Sequence, residues 1–125
     1  MPKFANSLVM DAAFDYVDQA DTMRVLSAYT AGDSHATVVT NTLASVAVTP
    51  DTDFTKAAGD TSGRKVTVVA KNGVSVGTSG TATHIALTRT SDTSVRYVTT
   101  CTSQALTAGN TVNIPAWKVE IQAPT

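Results

Sequence analysis

The sequence predicts a mainly β fold: a single β-sandwich or jelly-roll-like barrel of about eight short antiparallel strands, with one N-terminal helix. Of the 125 residues, 22 are Thr and 16 are Val, and β-branched residues favour strands because their side chains are stiff at χ1. Apolar residues alternate with a period of two along most of residues 23–122, and turn residues interrupt them frequently. A chain of this length suits one domain, so residues 1–125 are expected to form a single domain.

A helix is predicted for residues 7–19, the one segment with a clear helical period. Asn6 or Ser7 can cap it, because either side chain accepts a hydrogen bond from the free N–H groups of the first turn. The apolar residues cover an arc of about 200°, which is wider than the 100° or so that docking on one sheet requires. This arc includes Val9, Met10, Phe14 and Val17. We therefore expect the helix to contact its own sheet and a second surface as well.

Three aspartates, Asp11, Asp15 and Asp18, form a stripe along the same helix. The stripe has two interpretations: a solvated face that keeps the protein soluble, or a contact for basic side chains of a partner. On the second interpretation the aspartates stay at the rim of the interface that the helix forms. The candidate interface therefore consists of the three aspartates together with the four apolar residues Val9, Met10, Phe14 and Val17.

The other elements follow in order from alternation and turn residues. Strands are predicted at residues 23–30, 36–40 and 43–49, and a long loop at 50–63 that packs through Phe54 or contacts a partner. Three hairpins come next: 64–71 with 74–77 across Asn72-Gly73, 81–89 with 94–101, and 104–107 with 111–122. Side-chain parity changes beside Pro115 in the last strand, which implies a β-bulge or a change of sheet.

No catalytic constellation can be read from the sequence, so we expect a non-enzymatic protein without a cofactor. His35 and His84 lie nearly fifty residues apart without ligand spacing, and both imidazoles are expected to face solvent. Cys101 is the single cysteine, which excludes an internal disulfide, and is expected to be a small buried hydrophobe. Trp117 follows the change of parity in an apolar strand, where core packing is the better account.

Acidic residues in the predicted loop leave a cation site open. Asp51, Asp53 and Asp60 offer carboxylate oxygens of the kind that bind Ca²⁺, although the EF-hand pattern is absent. Aspartates in such loops usually form turns with their own backbone. The sequence alone does not decide between these two roles.

Charge and hydropathy exclude several partner classes. The net charge of −1 argues against nucleic acid, because binding phosphates needs clustered Lys and Arg. No apolar run approaches the roughly 18 residues of a membrane span, and the N-terminus lacks the apolar core of a signal peptide. We therefore expect a soluble protein that is made in the cytoplasm and binds neither nucleic acid nor membrane.

Six segments carry a resemblance to a known group of proteins: FANSLVMD (4–11), GDTSGRKVTV (59–68), SGTATHIAL (79–87), YVTTC (97–101), LTAGNTV (106–112) and PAW (115–117). In these segments the chain resembles small virion structural proteins of tailed bacteriophages, of the head-decoration or capsid-cement type. The resemblance implies a homo-oligomer that binds the major capsid protein or other virion proteins, in a virion made in the host bacterial cytoplasm.

Two alternatives stay open beside the decoration protein. One is a tail or head–tail connector component of the virion. The other is a receptor- or glycan-binding module, against which the low aromatic content of 6% argues. A low proportion of charged residues, 15%, suits surfaces that pack against other subunits, where a charge would have to be desolvated or paired.

Overall fold

The computed structural model describes residues 3–124, which contain nine strands and two helices. Their order is α1 (Ser7–Val17), β1 (Thr22–Leu26), α2 (His35–Thr40), β2 (Thr42–Ala47), β3 (Phe54–Ala58), β4 (Arg64–Val68), β5 (Lys71–Ser75), β6 (Gly80–Arg89), β7 (Ser94–Leu106), β8 (Thr111–Ile114) and β9 (Trp117–Ile121). With 48% strand and 14% helix, the structure confirms the predicted mainly β fold with an N-terminal helix. The strands do not close into a barrel.

The strands pair in three antiparallel sheets, in the orders β2-β1-β6-β7, β3-β4-β9 and β5-β8. All three sheets and helix α1 contribute side chains to one core, among them Phe14, Met23, Val66, Val74 and Leu87. Each of these side chains is buried. The sheets are therefore layered over a shared apolar interior, and β7 and β9 are left as edge strands of the two larger sheets.

Helix α1 begins where the sequence predicts and ends two residues earlier, at Val17. The Asn6 side chain caps it by accepting a hydrogen bond from the backbone N–H of Leu8, with an N–O distance of 2.9 Å. Met10, Phe14 and Val17 are the buried residues of the helix. Within residues 3–124, neither helix is long and apolar enough to cross a membrane.

The strand predicted at residues 36–40 is wrong, because this segment forms helix α2. Ser34 caps α2 by accepting a hydrogen bond from the backbone N–H of Thr37, at 3.3 Å. Val38 is fully buried against Leu26 and Ala86, on the face of the four-stranded sheet opposite the main core. The cap and the burial of Val38 outweigh the β-branched composition.

The loop predicted at residues 50–63 is also partly wrong, because it contains strand β3. Lys56 lies opposite Val66 of β4 in an unbroken register, so the pairing is supplied by a neighbour distant in sequence rather than by a local pattern. The expectation that the segment packs through Phe54 is confirmed, since this side chain is 5% exposed in the core.

Two of the three predicted hairpins differ from the structure. Asn72-Gly73 lies inside β5, which pairs with β8, whereas β4 pairs with β3 and β9. Gly73 does adopt a positive φ of 66°, but its N–H bonds to the Asn113 side chain instead of closing a turn. Residues 104–106 belong to β7, and residues 111–122 are divided between β8 and β9. The hairpin of 81–89 with 94–101 is confirmed as β6 and β7.

The change of sheet predicted beside Pro115 is confirmed. Strand β8, which ends at Ile114, pairs with β5, whereas β9, which starts at Trp117, pairs with β4. Pro115 has no N–H to donate to a ladder, so it suits the point where the chain leaves one sheet for another. This crossing forms one end of the cleft described below.

Candidate functional site

The side of α1 that faces away from the core is apolar. Because successive helical residues are about 100° apart, the side chains opposite the buried Phe14 form a second stripe. We call this stripe the outer face of α1: Leu8, Val9, Ala12, Ala13 and Tyr16, all of them exposed. The exposed fractions of the three larger side chains are 74% for Leu8, 66% for Val9 and 54% for Tyr16.

Exposed large hydrophobic residues are concentrated at the N-terminal end of the described chain. Six occur in residues 3–124: Phe4, Leu8, Val9, Tyr16, Val39 and Val69. Four of the six lie before residue 17. Phe4 is the most exposed, at 85%, and lies in residues 3–6, which precede α1 and are called the N-terminal arm here.

Tyr16 is held in place although it is exposed. The guanidinium carbon of Arg96 lies 3.8 Å from the centre of the Tyr16 ring, a cation–π contact, and Arg96 Nη1 donates to the Tyr16 carbonyl at 2.9 Å. Arg96 is also paired with Asp92 at 2.7 Å. One end of the outer face is thereby fixed to strand β7.

The aspartate stripe attaches α1 to its own sheets. Asp11 pairs with Arg64 of β4 at 2.9 Å, and Asp15 and Asp18 both pair with Lys56 of β3. The solvated-face interpretation and the rim position are therefore wrong for Asp18, whose side chain is only 2% exposed. Its burial results from packing of the helix end against the loop before β3, where the Asp18 carbonyl accepts from the backbone N–H of Asp51.

Burial of Asp18 has an electrostatic consequence. Removal of the carboxylate from water raises the pKa of Asp18, even though Lys56 lies 3.1 Å from it and acts in the opposite direction. The hydrogen bond to Asp15, and then that to Asp18, raise the pKa of Lys56. The Lys56 ammonium, placed between the two carboxylates, thus opposes the effect of burial on Asp18.

The candidate interface residues divide into two groups. Met10, Phe14, Val17 and Asp18 are buried within the chain's own fold, and Asp11 is largely covered by Arg64. Val9 and Asp15 are exposed. Within the candidate set, these two are the residues that a partner would reach first, and they lie on or beside the outer face of α1.

A cleft of about 380 Å³ lies between the edge strands β7 and β9. Its apolar lining is buried or half-buried: Val25, Ala82, Ile85, Val112, Ile114 and Trp117. Its polar lining is mostly exposed: Thr99, Thr100, Thr102, Gln104, Asn113 and Lys118. A volume of this size, with an apolar floor and a polar rim, is typical of a site that receives a side chain or a small ligand.

A bulge in β7 shapes one wall of the cleft. Between the pairs Ala82–Gln104 and His84–Thr100, strand β6 has one residue and β7 has three. The extra residues of β7 bend the strand there, as bulges do beside binding sites. Residues 101 and 102 of this bulge line the cleft.

Trp117 is half-buried at the opposite wall. Its ring stacks on Tyr97 with 6.1 Å between ring centres, and its indole N–H points at the sulfur of Met23 at 3.5 Å. Both contacts join it to the core, as expected, and Trp117 also lines the cleft. Cys101 is half-buried as well, and burial raises the pKa of its thiol.

The two histidines are less exposed than the sequence predicts. The Nε2 atom of His35 is buried without a hydrogen-bond partner in the described part of the chain. His84 is half-buried, with Nδ1 2.8 Å from the Thr83 hydroxyl and its ring 5.9 Å from that of Tyr29. The expectation of two solvent-facing imidazoles is therefore wrong, because α2 and the residues before it cover this face of the sheet.

The three aspartates considered for a cation are engaged separately. Asp53 accepts from the Thr49 N–H at 2.7 Å and pairs with Lys71 at 3.0 Å. Asp60 pairs with two lysines, and Asp51 accepts from Gln19. Among residues 3–124, no three His, Cys, Asp or Glu side chains converge in a way that would hold a metal ion.

The cleft is the feature that sequence reasoning missed. Its lining comes from β1, β6, β7, β8 and β9, so no local spacing identifies it. The one signal in the sequence is the change of parity beside Pro115, which predicts that the chain changes sheets there.

No family model, curated protein or solved structure matches the chain.

Proposed function

We propose that this protein is a non-enzymatic structural protein of a tailed-bacteriophage virion, a decoration protein that binds the head shell as a homo-oligomer. The outer face of α1 is the surface that contacts the shell in this proposal. The resemblance of six segments of the chain to virion structural proteins supports the class of protein. The exposed apolar face of α1 supports the mode of attachment to the shell.

The outer face is the observation that carries the proposal. Leu8, Val9 and Tyr16 are each more than half exposed on one stripe of an 11-residue helix. Monomers rarely leave a contiguous apolar stripe in water, because its burial against a partner is worth about 25 cal/mol per Å². Asp15 is the charged residue beside the stripe, so little charge would have to be desolvated on docking.

Most basic residues of the chain form ion pairs within the chain itself, which also suits a packed assembly. Six of the nine basic residues pair with aspartates of the same chain: Lys56, Arg64, Lys65, Lys71, Arg96 and Lys118. Charges that are already paired within the monomer cost less to bring close to a neighbour.

A particle-binding assay tests the proposal. Heads assembled without this protein are mixed with the purified wild type, Val9→Asp, or the matched control Val39→Asp, and bound protein is measured by sedimentation. Val39 is also a valine and is 41% exposed, but it lies on α2. We expect Val9→Asp to weaken binding by at least about tenfold, because docking would then bury a charge where the wild type buries the two methyl groups of Val9. Val39→Asp should bind as the wild type does.

Three outcomes contradict the proposal. The wild type fails to bind heads, Val9→Asp binds as tightly as the wild type, or the wild type sediments with purified tails instead of heads. The last outcome supports the tail or connector component in place of the decoration protein. Circular dichroism of each variant confirms that a loss of binding is not a loss of fold.

A further inference from the structure

We infer that the N-terminal arm of one copy of the chain occupies the cleft of a neighbouring copy, with Phe4 packed against the apolar lining. This deepens the homo-oligomer of the proposed function and rests on it. It assigns one contact between subunits, whereas the outer face of α1 contacts the shell.

The arm has the form of a segment that docks elsewhere. Phe4 is 85% exposed, and the arm belongs to neither a helix nor a strand. Asn6 has an extended backbone, with φ −62° and ψ 144°, and directs the chain away from the start of α1. An exposed aromatic ring on a short extended segment is the usual anchor of a peptide that enters a groove.

The cleft has the matching chemistry. Ile85, Val112 and Trp117 offer an apolar surface for a ring, and aromatic pairs with Trp117 are favourable beyond their buried area. The exposed Thr102 and Gln104 on the rim supply donors and acceptors for the backbone of an extended segment. Lys118, the charged residue of the described lining, is already paired with Asp60, so the cleft favours a neutral occupant.

The arm cannot reach the cleft of its own copy. Asp11 of α1 pairs with Arg64, which lies opposite Ile121 at the far end of β9. The cleft begins at Trp117, four residues earlier on β9, or about 13 Å away at 3.3 Å per residue. From Asp11, α1 extends toward Asp51, so its N-terminus points away from the cleft. The three residues from Phe4 to Ser7 span at most about 10 Å.

An arm that enters a different copy makes a head-to-tail contact. The arm and the cleft are different surfaces, so each copy donates one arm and receives another. Such contacts close into a ring when the rotation between copies allows it. The proposal therefore predicts a closed cyclic oligomer, whose smallest form is a twofold dimer in which two copies exchange arms.

Disulfide trapping tests this contact, because the native Cys101 lines the cleft. We would make Phe4→Cys and oxidise it with diamide at about pH 8.5, since burial raises the pKa of the Cys101 thiol. The expected product is an intermolecular 4–101 disulfide, mapped by mass spectrometry of unreduced peptides. Denaturing gels should show a ladder of covalent oligomers that ends at the ring size.

Two variants complete the test. Val39→Cys places a thiol on an exposed residue of α2 and should not form a disulfide with Cys101. Phe4→Asp should reduce the mass in solution to that of the monomer and leave the circular dichroism spectrum of the folded chain unchanged, because Phe4 is 85% exposed within its own copy. The inference is overturned if Phe4→Cys links to Cys101 no faster than Val39→Cys does. It is also overturned if Phe4→Asp keeps the oligomeric mass, or if the wild type is a monomer.

The trapping experiment is independent of the particle-binding assay. It uses the protein alone in solution, so a 4–101 disulfide can form even if Val9→Asp binds heads as tightly as the wild type does and the outer face of α1 is not the contact. Conversely, if the wild type binds heads but Phe4→Cys forms no 4–101 disulfide, the arm contact is overturned and the proposed function stands.

Discussion

The carboxylate of Asp11 on α1 accepts two hydrogen bonds from the guanidinium of Arg64 on β4, from Nε at 2.9 Å and from Nη2 at 3.3 Å. Both side chains are partly buried, at 17% and 25% exposure. This paired contact fixes the N-terminal half of the helix to the end of the three-stranded sheet. The direction of the N-terminal arm follows from it.

A double-mutant cycle measures the strength of this contact. Asp11→Asn and Arg64→Met should each lower the free energy of unfolding, and the double variant should lose about 1 kcal/mol less than the sum of the two. Urea unfolding of the four proteins at low salt provides the values. Strict additivity would show that the two side chains do not stabilise each other.

Removal of Lys56 should destabilise the fold in a pH-dependent way. Lys56→Met leaves the Asp18 carboxylate, 2% exposed, without its cation. A loss of about 2 kcal/mol is expected near pH 7, which is less than for a fully buried pair because Lys56 is 28% exposed.

The sign of the pH effect follows from the pKa of Asp18. Burial raises this pKa in the folded state, and loss of Lys56 raises it further. Protonation therefore becomes favourable as the pH falls, and the destabilisation should shrink toward pH 4. Lys65→Met, whose partner Asp60 is 43% exposed, is the control and should cost less than about 1 kcal/mol at any pH. A constant loss for Lys56→Met across this range would contradict the account.

The pKa of Asp53 is shifted in the opposite direction to that of Asp18. The hydrogen bond from the Thr49 N–H and that from Lys71 lower the pKa of Asp53 below its ordinary value of 3.8. Its stabilising contribution is present above the unfolded-state pKa and is lost as the pH falls through the folded-state pKa. Asp53→Asn should therefore cost about 1–2 kcal/mol near pH 7 and much less near pH 2. The measurement is denaturant unfolding of the wild type and Asp53→Asn at both pH values. An equal difference in the free energy of unfolding at the two pH values would contradict this prediction.

Gly63 tests the packing between β4 and the end of β9. It has a φ of +69°, and an added Cβ would lie 1.9 Å from the carbonyl oxygen of Ile121. Gly109 has a φ of +93° but open space around its Cβ position. Both alanine variants incur backbone strain of about 1–2 kcal/mol, and Gly63→Ala should lose about 1–3 kcal/mol more because backbone must move. Equal melting temperatures for the two variants would show that the close approach does not matter.

Features that depend on local sequence were predictable. Asn6 caps α1 through its own side chain, and the parity change beside Pro115 marks a real change of sheet, since both effects act within a few residues. The high content of β-branched residues also predicted the mainly β fold class correctly.

Features that depend on distant partners were not predictable. Strand β3 exists because residues 64–68 of β4 pair with it, and Asn72-Gly73 forms no hairpin because β5 finds its partner in β8. The burial of Asp18 depends on Lys56, 38 positions later in the chain. The cleft needs five strands to form its walls, so neither its volume nor its apolar floor leaves a pattern in the sequence.

The most direct test of the central claim is an electron cryomicroscopy reconstruction of the intact virion that carries this protein. The account predicts cyclic clusters of this fold on the outside of the head, with Leu8, Val9 and Tyr16 against the shell and Phe4 of each copy in its neighbour's cleft. Density for the chain on the tail axis, its absence from the virion, or a head-bound copy with the outer face of α1 in solvent would contradict the account.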